Sequence, residues 1–255
     1  MERLRQEMSE YYDAYRLAKA ESFPNLTLRR GILEAMDEFL ASHPDCHPSL
    51  LKARLHEEMA ERFEPVIFRH SPFFFEMGLR YAENWGTPNA GAERHVGAWM
   101  RDRRLQELRP VHPEYELIQL HQGYNADSPF HLWNIHEGFD CDHHCLGYTH
   151  LLEVGVNGIL AEIEERQARP CTPHQAANLE AMARSCRAML RVAERFGERA
   201  RELLAEETDP HARACLTRIA ETAGRIPAEP PRTFYEGLAM LWFLREVAAT
   251  LEGVG

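Results

Sequence analysis

The 255-residue sequence lacks the short motifs that mark many enzymes. Neither GxGxxG nor GxxxxGK[ST] occurs, so no glycine-rich turn is available to cradle a dinucleotide or a nucleotide phosphate. GxSxG and HExxH are absent as well, which removes the serine nucleophile elbow and the helical zinc pair. No run of 18 apolar residues exists, so no membrane-spanning helix is expected. The chain begins MERLRQEMSEYYDAY, a charged helical start without the apolar stretch of a secretory leader. Positive charge is in deficit, with 29 Lys and Arg against 40 Asp and Glu and a net charge of -11, which argues against non-specific nucleic-acid binding. Its basic cluster, Arg101, Arg103, Arg104 and Arg109 with Glu107 inside it, reads as a solvated helix face. Cysteine is sparse and scattered. Cys46, Cys141, Cys145, Cys171, Cys186 and Cys215 form no disulfide framework and are expected as reduced thiols in the cytoplasm.

What is present is helical periodicity. Leu4, Met8, Tyr12 and Tyr15 share a face over residues 2–21. Leu28, Ile32, Met36 and Leu40 recur every four residues over 27–41. A third helix over 49–63, opened by Pro48, carries Leu50, Leu51, Leu55, Met59 and Phe63. In VIFRHSPFFFEMGLRYAENWG, Ser71 and Pro72 are placed to open a further helix, with Glu76 and Arg80 paired one turn apart. Its aromatic density predicts burial on several sides. Residues 110–145, rich in His, Tyr, Trp, Asn and Gly, read as a long ordered loop region of the kind that lines sites.

The later helices carry clearer signals. Residues 146–166 hold Tyr148, Leu151, Leu152, Val156, Ile159 and Ile163. Gly155 and Gly158 lie near that stripe, and close approach of another backbone would explain them. Thr172, Pro173 and Gln175 form a capping-box start. The helix that follows to about 205 carries Leu179, Met182, Cys186, Met189, Ala193, Phe196, Ala200 and Leu203 at heptad spacing. Asp209-Pro210 opens a helix to about 224. IPAEPPRT reads as an extended linker, and Thr233 with Glu236 as a capping box before FYEGLAMLWFLREVAATL. That last helix is apolar on most faces and is expected to present a broad apolar surface to a partner or a second copy.

Chemistry concentrates in GFDCDHHCLGYTHLLEVGVNGI. Cys141, His143, His144 and Cys145 are ligand-type side chains, but the second ligand pair of a structural zinc site is missing, so no metal is expected. No motif supports a cysteine nucleophile there. His143 and His144 either contact a ligand, with Asp142 orienting them, or satisfy loop carbonyls.

Three segments resemble a known family. SPFFFEMGLRYAENWG, HHCLGYTHLLEVGVNGI and PPRTFYEGLAMLWFLREVAATLEG are similar to parts of the amino-terminal helical region of glycyl radical enzymes, the pyruvate formate-lyase-like superfamily. The resemblance implies a mainly α fold: residues 1–255 as part of the helical amino-terminal portion of an α/β-barrel enzyme, with the barrel largely absent. His143 falls at the motif histidine and Tyr148 at the motif tyrosine, which implies His143 as a substrate contact and no catalytic residue in the chain; Asp142 and His144, beside it but outside the common family pattern, are expected as further substrate contacts. Gly147 stands where the family usually has Asp, which leaves the substrate class open. A complete enzyme would carry a glycyl radical, installed by an iron–sulfur S-adenosylmethionine activating enzyme, and a cysteine loop that relays it. Neither is recognised here. The resemblance therefore implies a fragment or split subunit of a lyase or dehydratase for a small polar metabolite. It would be inactive alone and completed by a separately encoded carboxy-terminal part, without nucleic-acid or membrane partners. A non-catalytic helical protein derived from that fold is the alternative.

Overall fold

The computed structural model describes residues 1–17, 26–74, 76–77 and 147–252. Among these, the elements are α1 (Glu2–Leu17), α2 (Leu26–Ser42), α3 (Pro48–Arg62), α4 (Tyr148–Gln167), α5 (Pro173–Glu206), α6 (Pro210–Ala223) and α7 (Phe234–Glu252). No sheet forms among the described residues; one isolated antiparallel bridge joins Val66 to Glu76. The expected mainly α character holds, and none of the described helices is long and apolar enough to cross a membrane.

The 34-residue α5 is the spine. Its start is the capping box read from the sequence. The Gln175 amide donates to Thr172 Oγ1 at 3.2 Å, and the Thr172 amide donates to Gln175 Oε1 at 3.0 Å. Replacing Thr172 with Ala removes one of these bonds and the preferred cap. We expect a loss of about 1 kcal/mol, measured as a shift of the urea midpoint at unchanged slope; a midpoint equal to the parent's would refute it.

Helices α3 and α5 run parallel in a constant register. Ser49 Oγ donates to Asn178 at 2.6 Å, His56 bonds Ser185 Oγ at 2.9 Å, and Arg191 Nε donates to Glu61 at 3.1 Å. Arg184 grips Glu57 with two bonds of 2.7 and 2.6 Å. Burial pushes the Glu57 carboxyl up, but the bonds and charge of Arg184 outweigh it and hold the group below the usual range. Beneath these pairs, Leu51, Leu55, Met59 and Phe63 of α3 are buried, as are Ile32, Met36 and Leu40 of α2. Both runs are the stripes that the four-residue spacing marked.

On its other side α5 packs antiparallel to α6. Asp209 caps α6, accepting from the amides of His211 and Ala212 at 3.0 and 2.9 Å. Arg213 reaches back to the carbonyls of Leu204 and Glu207, satisfying acceptors near the end of α5. A helix packed on two sides cannot keep one heptad seam. Ala181, Ala188 and Val192 are buried, whereas Met182, on the predicted stripe, is 52% exposed.

The described residues of the 66–77 segment do not form the expected helix. The Val66 amide donates to the Glu76 carbonyl at 2.9 Å, and Ser71 Oγ accepts from the Phe73 amide at 3.2 Å, so Ser71 closes a turn. Among its described residues Phe68, Phe74 and Met77 are buried, but in an irregular segment. Phe74 packs against Phe196 and Phe243 at centroid distances of 5.6 and 5.4 Å, and Phe63 meets Phe196 at 5.5 Å. Arg80, the expected partner of Glu76, lies outside the described residues.

Helix α7 splits its apolar residues. Ala239, Met240, Phe243, Leu244 and Val247 are buried, while Phe234, Leu238 and Trp242 form an exposed stripe at four-residue spacing. Trp242 also stacks on Phe73 at 6.4 Å. The 224–229 stretch is coiled into turns rather than extended, with the Ile226 amide donating to the Thr222 carbonyl at 2.7 Å and the Glu229 amide to Arg225 at 2.9 Å. The capping box at α7 is half formed. Glu236 accepts from the Arg232 amide at 2.6 Å, while its own amide donates to Thr233 Oγ1 at 3.1 Å.

Candidate functional site

Asp142, His143 and His144, with Cys141 and Cys145, lie outside the described residues. The same holds for the loop region 110–145 and for the basic cluster from Arg101 to Arg109. What the structure describes is the receiving end of that loop. The chain enters α4 at Gly147, and Tyr148, Leu151 and Leu152 pack against the main core. Burial raises the Tyr148 phenol, partly offset by the positive charge of Arg245. Tyr148 therefore stays a neutral hydroxyl beside the point where the loop arrives. Among the described residues no group of three or more His, Cys, Asp or Glu could hold a metal.

Helix α4 is two helices joined by a sharp turn. Gly155 has φ 67° and ψ 176°, a region that only glycine occupies without strain. The consequence is visible in His150, whose Nε2 lies 2.8 Å from Glu162 Oε1. Twelve residues of straight helix would separate them by about 18 Å. The turn is held from outside. The amides of Val156 and Asn157, orphans at the start of the second segment, donate to the carbonyls of Pro227 and Ala228 at 2.9 and 3.0 Å. Asn157 Nδ2 donates to Glu229 at 2.8 Å. A Cβ on Gly155 would stand 2.4 Å from the Ala228 carbonyl oxygen. The close backbone approach expected for this glycine is thus the 227–229 turn. Gly158 has a different reason, because its Cβ would meet Val154 across the bend at 2.4 Å.

Next to this staple a cleft of about 540 Å³ runs between α5, the end of α6 and residues 224–228, with Asn157 on its rim. Arg187, Arg191, Glu194 and Arg201 line it. Sequence reading missed the cleft because its residues come from three separate stretches; the one available signal was the Arg spacing along α5.

Residues 130–255 match the family model described as pyruvate formate lyase-like. These residues are similar to that family. This corrects the expected placement, because the match falls on residues 130–255 and not on an amino-terminal helical region of the fold spread over the chain. The fold expectation needs the same correction, with its mainly α character kept. The matched residues include α4 to α7, the Gly155 turn and the residue 142–144 stretch.

The chain is 41% identical over 71 residues to trans-4-hydroxy-L-proline dehydratase of Clostridioides difficile, which covers 28% of this chain and 9% of that protein. It is 36% identical over 103 residues to isethionate sulfite-lyase of Desulfovibrio desulfuricans, covering 38% of this chain and 12% of the relative. In fold it is similar to hydroxyproline dehydratase from C. difficile with trans-4-hydroxy-L-proline bound, at TM-score 0.66 and 19% identity, covering 100% of this chain and 34% of that one. A structure described for 1,2-propanediol dehydration in Roseburia inulinivorans matches at TM-score 0.67 and 18% identity, with 100% and 32% coverage. At these identities the structural likeness shows the fold alone. The chain spans about a third of the solved structures it matches.

Proposed function

We propose that this chain is the helical part of a glycyl radical lyase or dehydratase acting on a small polar metabolite. The observation that carries this is the pyruvate formate lyase-like match over residues 130–255, together with local identity to a dehydratase and to a sulfite-lyase. Asp142, His143 and His144 are the substrate-contacting residues in this reading, delivered by the loop that enters α4 beside Tyr148. Radical chemistry requires a barrel-bearing part with a radical glycine and a cysteine loop, and an iron–sulfur activating enzyme. The exposed stripe Phe234, Leu238 and Trp242 on α7 suits cover by that part.

The test is electron paramagnetic resonance on the 255-residue chain after anaerobic incubation with a glycyl-radical activating enzyme and S-adenosylmethionine. The chain alone is expected to give no glycyl radical signal, and the signal is expected once it is combined with a barrel-bearing part. In the combined enzyme, His143→Ala is expected to raise KM about tenfold or more, the loss of one charge-assisted or buried hydrogen bond. A radical on the chain alone, or an unchanged KM, would overturn the reading.

A further inference from the structure

Helix α5 carries six arginines, and four of them are committed. Arg184 holds Glu57, Arg191 holds Glu61, Glu194 and Glu198, and Arg199 pairs with Glu202. Arg195 donates to the carbonyls of Ala60 and Glu61 at 3.2 and 2.5 Å and lies over the Phe63 ring. The two left without such a partner among the described residues, Arg187 and Arg201, both line the cleft beside the Gly155 turn. Glu194, the acidic residue in that cleft, is occupied by Arg191 at 2.7 Å. The described lining therefore offers guanidinium groups to a ligand with no competing free carboxylate.

The floor between the two arginines is low. Ala193, Gly197 and Ala223 supply almost no side chain, and a Cβ on Gly197 would meet the Ala223 Cβ at 3.3 Å. Arg201 folds back over this floor, with its Nη1 3.5 Å from where that Cβ would stand. From Arg187 to Gly197 the helix rises about 15 Å. Roughly five residues of extended chain cover that rise, which is longer than a small anion. We propose that the cleft receives an extended acidic peptide segment, its backbone over the Ala193–Gly197 floor and its carboxylates paired with Arg187 and Arg201. The planar guanidinium fork suits a carboxylate at each end. Charge complementarity is local, because the chain as a whole carries a net charge of -11 and repels an acidic segment elsewhere.

The experiment is fluorescence anisotropy of a labelled Glu-Gly-Ser-Gly-Glu probe titrated with the full 255-residue chain. Saturable binding is expected, weakened about tenfold by Arg187→Gln and by Arg201→Gln, the scale of one charge-assisted pair. Arg5→Gln, which removes the same charge from exposed α1, is expected to leave binding unchanged, and a Gln-Gly-Ser-Gly-Gln probe is expected not to bind. Absence of binding, or an equal loss with Arg5→Gln, would overturn the proposal. Displacement by free citrate at the concentration at which unlabelled peptide displaces would also overturn it, in favour of a small-anion site.

Discussion

Replacing Gly155 with Ala is expected to cost about 4 kcal/mol, a large share of the stability of an ordinary domain. Two effects add. At φ 67° and ψ 176° an alanine is held where L side chains clash with their own backbone, which costs on the order of 1–3 kcal/mol. Its Cβ would also stand 2.4 Å from the Ala228 carbonyl oxygen and 2.8 Å from the Glu229 Cα. Those neighbours are main chain and cannot rotate away, so the bend or the 227–229 turn must shift, at roughly 1–3 kcal/mol. Denaturant titration measures the sum. Gly237→Ala is the contrasting variant. Gly237 lies in α7 with nothing within 4 Å of where a Cβ would stand, so alanine there is expected to stabilise by up to about 1 kcal/mol. If Gly155→Ala behaved like Gly237→Ala, the account of the α4 turn would fail.

Phe196→Ala is expected to be comparably damaging, at about 3–5 kcal/mol. Phe196 is fully buried and touches both Phe63 and Phe74, while Phe74 continues the cluster to Phe243. Its removal opens a cavity where α3, α5 and the 66–77 segment meet, beside the buried face of α7. The surrounding helices are pinned by ion pairs such as Arg184–Glu57 and collapse into that cavity only in part. Trp242→Ala, at a 54% exposed side chain on α7, is expected to cost about 1 kcal/mol or less. Paired thermal and urea melts of the two variants check the contrast. Equal losses would mean that the exposed stripe of α7 is part of the core.

Phe243 and Trp242 also show how far sequence reading reaches. They are neighbours of similar hydrophobicity in a helix that looks apolar all round. Nothing local says that one is sealed against Phe74 while the other faces outward beside Phe73. Gly155 is the intermediate case. Its place in an apolar stripe signalled a close backbone approach, but not that the helix reverses or that residues 227–229 provide the contact. The residues proposed to meet substrate, Asp142, His143 and His144, were legible only as a polar cluster and through family resemblance.

The sequence by itself determined the helices and most of their ends. Thr172 with Gln175, Asp209 with Pro210, and Pro48 satisfy or replace amides within one turn, and apolar residues three and four apart select a face. These are interactions between near neighbours, so they can be read from the chain. Only the tertiary structure decided what lies between and across the helices. The Ser71–Pro72 start lost to aromatic packing, because burying Phe74 between Phe196 and Phe243 outweighs the weak local preference for a helical turn. The 224–229 stretch coiled because its carbonyls serve the amides of Val156 and Asn157, some 70 residues earlier in the chain. The cleft with Arg187 and Arg201 exists because α5, α6 and that turn converge, with small residues at the point of closest approach. Contacts of this kind depend on which distant surfaces meet, and pairwise local preferences carry no record of that.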